Sequence, residues 1–596
     1  MRPRSAIRRV LCAVPFALLF ASPSAWAQQS AALPQAPVSA TAPAPPRSVR
    51  DVLALLEKSK PSQAMVDADK ATADQAIPEA LAGPEKITAL HQRGMAAYRL
   101  GRVKQAREDL SEAVKLSETE TFTGKAGLYQ DLSVAEQAGG NTRHAIELRT
   151  LAVNTTQYAG QKVSLQAALA LLLAGAGDLE GAEQALAASE AALAELGRGG
   201  GRSASGGARG GGPQYHAFYR GIIDRARGNV LSMRGKVGQA DTAYAASVAS
   251  LDPLIDADLK DPNGRPTRVR ATRDAALSDR AMNMIRLDRP IEAEIMVRQA
   301  LTSRLSEQGT YSAETANTLQ RLGMILAEEG RTDDAVLIAK AVLEIMDKIG
   351  ASGASMTGAQ AQATLARAFM VKGKWKDAQA GFAAVQARFA DDKELWNRRF
   401  GADPDVALTA IKSGNVPEGR ALAERAVARA TQRLGPRHYG TAEALGIQAM
   451  GASAAGEPKA AMELFARAVP TLLQRSRQSQ DESTGRAMRD LRRHAILQAY
   501  IDTLMTISST PLEQEAKLNA SEEAFRVADI VRGQSVQTAL AQSAARATIA
   551  DPALADLARR EQDAQKEVAG LNGILSNLLA TGEGDANPGA VQALRA

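Results

Sequence analysis

The sequence predicts an all-α fold: a solenoid of helical hairpins followed by a C-terminal helical, coiled-coil-like arm. Three observations predict it. A small residue recurs at Ala106, Ala145, Ala182, Ala240, Ala293, Ala335, Ala378, Gly419 and Ala461, at intervals of 39, 37, 58, 53, 42, 43, 41 and 42 residues. Five residues before each stands a turn residue: Gly101, Gly140, Gly177, Gly235, Asp288, Gly330, Gly373, Gly414 or Gly456. Composition agrees, with aromatics at 4% and charged residues at 23%. Alanine, the best helix former, is abundant and lets paired helices approach closely. A fixed period in this range marks stacked helix pairs, and stacking is how 596 residues avoid needing one large core.

In chain order, residues 1–27 read as an export signal. Arg2, Arg4, Arg8 and Arg9 precede an apolar stretch from Val10 to Phe20, too short to span a bilayer. Ala25-Trp26-Ala27 is a small-x-small site, placing cleavage between Ala27 and Gln28. No membrane span is expected after signal removal. The net charge of +6 comes from 72 basic and 66 acidic residues. Removing residues 1–27 deletes four arginines and no acid, leaving 68 against 66. A near-neutral chain does not call for nucleic acid. Cys12, the single cysteine, leaves with the signal, and with it any disulfide or thiolate nucleophile.

Residues 28–48 are rich in Pro, Ala and Ser and read as a disordered tether. Hairpins are expected over 49–196 and 214–475. The first clear unit runs from Ile87 to Glu118, with Gly94 and Ala106 where two antiparallel helices touch and Gly101 ending the first of them. Between the two blocks, the Gly/Arg-rich run 197–213 offers two readings, a nucleic-acid segment or a flexible loop. The loop is favoured, since no aromatic sits inside the run to stack on bases. A turn-rich loop is expected around Asp261-Pro262-Asn263-Gly264. Residues 476–550 read as a helical extension and 551–596 as an amphipathic arm, with possible self-association through 552–580.

Gly94, Gly101, Ala106, Leu110 and Ala113, with Leu322-Gly323, Gly330, Ala335, and with Gly456, Ala461, Phe465, Ala468, resemble the tetratricopeptide pattern. The 41–43 spacing and the stretches at Glu314-Thr315-Ala316 and Leu434-Gly435-Pro436 resemble repeats of the kinesin light chain type. This resemblance implies a right-handed superhelix whose first helices line a concave face. On that face it implies a groove for a protein or peptide ligand at His91, Met95, Arg99, Gln130, Met282, Arg286, Asn317, Gln320, Met324, Glu328 and Arg367. Residues 521–579, including Glu523-Ala524-Phe525-Arg526 and Arg532-Gly533-Gln534-Ser535, resemble the helices that precede the caspase-like CHAT protease domain in bacterial repeat proteins. There the resemblance implies a regulatory arm, the catalytic domain being outside this chain.

Catalytic motifs are missing. The sequence has no phosphate loop ending in Gly-Lys-Ser/Thr, no His-Glu-x-x-His and no Gly-x-Ser-x-Gly. Glu328-Glu329 and Asp333-Asp334 flank Gly330 and read as solvated acids beside a turn. The histidines are scattered through the repeats. The expectation is a non-catalytic binding module with no cofactor and no metal.

Overall fold

The computed structural model describes residues 48–198, 212–260, 268–287, 289–351, 355–478 and 487–532. Of two compact units, 1–44 and 45–596, every described residue belongs to the second. The expected signal, the cleavage site at Ala27 and Gln28, most of the tether, the core of the Gly/Arg run and the 552–580 arm lie outside the described residues.

Two leading helices, α1 (Val49–Lys58) and α2 (Gln63–Ala73), precede nine hairpins. These are α3 (Gly83–Arg99) with α4 (Val103–Thr119), α5 (Lys125–Gly139) with α6 (Thr142–Thr155), and α7 (Ala159–Ala176) with α8 (Leu179–Arg198). Next come α9 (Pro213–Met233) with α10 (Val237–Leu251), α11 (Val269–Arg286) with α12 (Pro290–Gln308), and α13 (Ala313–Glu328) with α14 (Thr332–Lys348). The seventh pairs α15 (Met356–Val371) with α16 (Trp375–Ala387); a short α17 (Lys393–Arg399) follows. The last two are α18 (Pro404–Lys412) with α19 (Val416–Leu434) and α20 (Tyr439–Ala454) with α21 (Pro458–Gln478). Then come α22 (Ala487–Ile507), α23 (Pro511–Glu515) and α24 (Ala520–Arg532), and no β-strand occurs among the described residues.

All nine anchor residues are buried on the second helix of their hairpin. The reason is contact distance. At Gly94 on the facing helix, an added Cβ would come within 2.9 Å of Leu110 Cγ and 3.3 Å of the Ala106 carbonyl oxygen. Gly419 departs from alanine because its own Cβ would meet Ile411 Cγ1 at 2.6 Å and Ile411 N at 2.9 Å. The short α18 therefore sits against α19 more closely than alanine permits.

The turns repeat one geometry. Gly101 has φ +74°, the left-handed region that other residues enter at a cost. The next amide, of Arg102, donates to the Ala97 carbonyl at 2.8 Å, five residues back. This is the hydrogen bond that closes a helix C-terminus. The same bond recurs in every hairpin at 2.8–3.0 Å, from Asn141 to Glu136 through Glu457 to Ala452. It forms at Arg289 to Met284 too, beside Asp288, where the sequence lacks the glycine.

Distant hairpins also touch. The Tyr98 hydroxyl donates to Glu314 Oε1 at 3.1 Å, across 216 residues. The Val103 amide donates to the Ile349 carbonyl at 3.0 Å. Arg298 Nη1 donates to the Ser48 carbonyl at 3.1 Å, tying the start of α1 to α12. The first hairpin thus rests on the sixth. Finally, α22 turns back onto the leading (first) helices of earlier hairpins: it packs against α20, α13 and α15, as well as α24.

Candidate functional site

The leading helices of several neighbouring hairpins are joined by hydrogen bonds and ion pairs set about one repeat apart. His91 on α3 meets Asp131 on α5, Nε2 to Oδ2, at 2.8 Å. On α11, Asp279 takes Arg225 Nε from α9 at 2.6 Å and Arg321 Nη1 from α13 at 2.5 Å. On α18, Asp405 takes Arg367 Nε from α15 at 2.6 Å and Arg492 Nη1 from α22 at 2.8 Å. Arg367 also donates to Asp403 at 2.6 Å, and Arg492 Nε lies 2.9 Å from Glu443 on α20.

The three aspartates Asp131, Asp279 and Asp405 are buried. Burial alone would raise the Asp279 carboxyl, but Arg225 and Arg321 outweigh it and hold it at about 2. The same contest leaves Asp405 below its usual range, with Arg492 and Arg367 prevailing. Asp403, in contrast, is raised by burial and by the charge of Asp405 despite Arg367. Removing one member of such a buried pair costs about 3–5 kcal/mol, because its partner stays desolvated. These carboxylates were not among the expected groove residues. Their signal is in the register: each stands 14 residues before its anchor, Ala145, Ala293 and Gly419.

The expected groove residues divide into three groups. Asn317, Gln320, Met324 and Glu328 all lie on α13. Asn317 Oδ1 accepts from Arg321 Nε at 3.1 Å, and its amide reaches Thr357 Oγ1 at 3.4 Å, so it joins the ion-pair line. Gln320 is 2% exposed and its Nε2 has no hydrogen-bond partner. His91 and Arg367 are members of the line itself. A second group is committed elsewhere. Arg99 clasps Asp69 on α2 with Nε and Nη2 at 2.6–3.0 Å, and Arg286 Nη1 donates to the Ser232 carbonyl at 2.8 Å. In the third, Met95, Gln130 and Met282 are half-buried, and both methionines pack on the hydrophobic core.

Of the paired acids beside Gly330, Asp333 is exposed as expected, and the glutamates differ. Glu328 and Glu329 are half-buried, not solvated. Burial raises the Glu328 carboxyl, with Arg492 opposing and Asp405 adding. Helix α22 lies beside Glu328: Arg492 acts on its carboxyl, and the first residue of the helix, Ala487, would stand 3.6 Å from a Cβ added at Gly330. Among the described residues, no cluster of His, Cys, Asp and Glu is arranged to hold a metal, and no helix is long and apolar enough to cross a membrane.

Comparison with known proteins finds one family model, over two stretches of the chain, and distant solved structures. The tetratricopeptide repeat family model matches residues 272–348 and 404–474, which are α11 to α14 and α18 to α21. No curated protein matches the chain. Among solved structures the chain is similar to a Rap protein complexed with competence and sporulation factor, at 13% identity and TM-score 0.36, over 63% of this chain and 98% of that one. It is similar to the apo form of the quorum sensor NprR from B. thuringiensis, at 15% identity and TM-score 0.32, over 57% and 83%. Yeast Tom70 is similar at 12% identity and TM-score 0.26, over 76% and 97%. Identities this low carry no residue correspondence. The chain carries tetratricopeptide repeats at 272–348 and 404–474, and the turn and anchor of those repeats recur in all nine hairpins.

Proposed function

We propose that this chain is a non-catalytic scaffold that binds a peptide or protein segment along the leading helices from α3 to α13. One observation carries the reading. From α13 onward this face already holds a helix, α22, keyed by Arg492 to Asp405 and Glu443. On α13, the first helix α22 touches, Gln320 keeps a buried amide donor with no partner among the described residues. An unmet buried donor costs about 1–3 kcal/mol, so turning the Gln320 side chain outward to meet a ligand carbonyl relieves that cost. The groove is therefore suited to a backbone, with Asn317 and Met324 flanking the donor.

Phage-displayed random peptides selected on the full chain test this. Enriched peptides are expected to lose at least about tenfold in affinity on Gln320→Ala, the worth of one buried hydrogen bond. Absence of enrichment, or equal binding by the variant, removes the proposal.

Export is proposed on the basic and apolar N-terminal segment; a periplasmic product beginning at Gln28 supports it, and a cytosolic one beginning at Met1 removes it. A second reading makes the chain the recognition part of a caspase-like protease encoded elsewhere. It rests on the resemblance of residues 521–579, of which α24, packed on α22, is the described portion. Failure of a neighbouring His- and Cys-bearing gene product to form a complex with the chain counts against it.

A further inference from the structure

Four guanidiniums gather where one superhelical level meets the next. Arg286 from α11 and Arg433 from α19 both reach the end of α9: Arg286 Nη1 donates to the Ser232 carbonyl at 2.8 Å and hydroxyl at 2.6 Å, and Arg433 Nε donates to the Met233 carbonyl at 2.9 Å. One turn earlier on α19, Arg429 Nη2 donates to the carbonyls of Asn397, at 2.9 Å, and Arg398, at the end of α17. The adjacent residue is Arg399, whose Nε is shielded from water and has no hydrogen-bond partner.

Among the described residues, the oxygens that Arg286, Arg429 and Arg433 bond are neutral. Among the described residues, the acid that acts on Arg399 and Arg429 is Asp403, and its carboxylate is occupied by Arg367 and the Asp405 amide. Burial, then the other arginines, pull Arg399 and Arg433 down to about 10. All four nevertheless carry charge at neutral pH. Carbonyls at helix C-termini account for where each arginine sits, since the dipole favours a cation there. They do not neutralise four charges. Arg286 is exposed and the other three are half-buried, so the cluster borders solvent.

We propose that Arg286, Arg399, Arg429 and Arg433 form a binding site for a phosphate-type oxyanion, either free or as the phosphoryl group of a larger ligand. Guanidinium forks match phosphate oxygens in pairs. Donors arriving from three helices suit a tetrahedral dianion better than a planar, singly charged carboxylate. This site is independent of the peptide groove proposed above, and neither stands or falls with the other.

Calorimetric titration of the full chain with inorganic phosphate at fixed ionic strength tests it, alongside O-phosphoserine, sulfate and acetate. Phosphate is expected to bind, sulfate to compete and acetate not to. Arg399→Gln and Arg433→Gln should each weaken phosphate at least about tenfold, the loss of one charge-assisted contact. The exposed Arg143→Gln should change nothing. Without phosphate, Arg399→Gln should raise the melting temperature by relieving repulsion; with phosphate, the order should invert. Equal affinity for phosphate and phosphoserine identifies a free anion, and tighter phosphoserine identifies a phosphoryl group. If a variant fails to fold, broadening of the 31P resonance by the wild-type chain decides the question. No binding, unchanged affinity in both variants, or displacement by chloride at equal ionic strength overturns the proposal.

Discussion

Asp279 is the residue on which the ion-pair line is easiest to weigh. It is 6% exposed, and two arginines from two neighbouring hairpins converge on it. Asn229 Nδ2 adds a third contact at 3.1 Å. The fall of its carboxyl from 3.8 to about 2 corresponds to about 2–3 kcal/mol, at about 1.4 kcal/mol per pH unit. The folded value is depressed, so this stability is fully present above pH 3.8 and is lost as pH falls toward 2. Asp279→Asn keeps the shape and removes the charge. At pH 7 it should destabilise α9 to α14 by about 2–3 kcal/mol or somewhat more, since both guanidiniums lose their counter-charge. At pH 2 wild type and variant should nearly coincide. Hydrogen exchange of the α11 and α13 amides, with melts across pH 2–7, measures both. A gap between wild type and variant that is the same at pH 2 and pH 7 would show that the charge is not what holds these hairpins.

Three further outcomes are expected. Gly101→Ala adds a Cβ 2.2 Å from the Tyr311 carbonyl oxygen at φ +74°; the left-handed strain alone is about 1–2 kcal/mol, and exchange should accelerate in the first and sixth hairpins together. Arg492→Met leaves Asp405 and Glu443 without that partner and should release α22 at a cost of about 3–5 kcal/mol, read as faster exchange in α22 with α3 to α8 unaffected. Gln320→Met removes a buried donor that has no partner, so the chain without ligand should gain about 1 kcal/mol in thermal denaturation, while affinity for selected peptides falls.

What the sequence disclosed follows from how local each feature is. A small residue between two helices and a left-handed turn five residues earlier are decided within one hairpin, so the nine anchors and turns could be read off directly. Even Gly419, irregular as a letter, proved regular as a contact. The aspartates at Asp131, Asp279 and Asp405 were visible in register, but each acquires its role from an arginine or histidine one repeat away. Glu328 shows the harder case. Beside a turn it reads as solvated, yet it is half-buried, and the charge that opposes that burial most, Arg492, arrives on α22 from about 160 residues downstream. The arginines at 286, 399, 429 and 433 meet across more than one repeat, and no periodicity places them together.

The bond from Val103 to Ile349 and the pair Tyr98–Glu314 change what kind of object the solenoid is. A repeat array that touches only its neighbours has additive stability, frays from its ends and unfolds piecemeal. Here the first hairpin leans on the sixth, and α1 is tied to α12 through Arg298, itself 1% exposed and paired with Glu294. Losing the N-terminal hairpin therefore exposes the interior of a later one. Such cross-level contacts oppose end-fraying and fix the separation of one level from the next. A face that must present Gln320 and the ion-pair line at constant spacing needs that separation held, since a change of pitch would slide every ligand contact out of register at once.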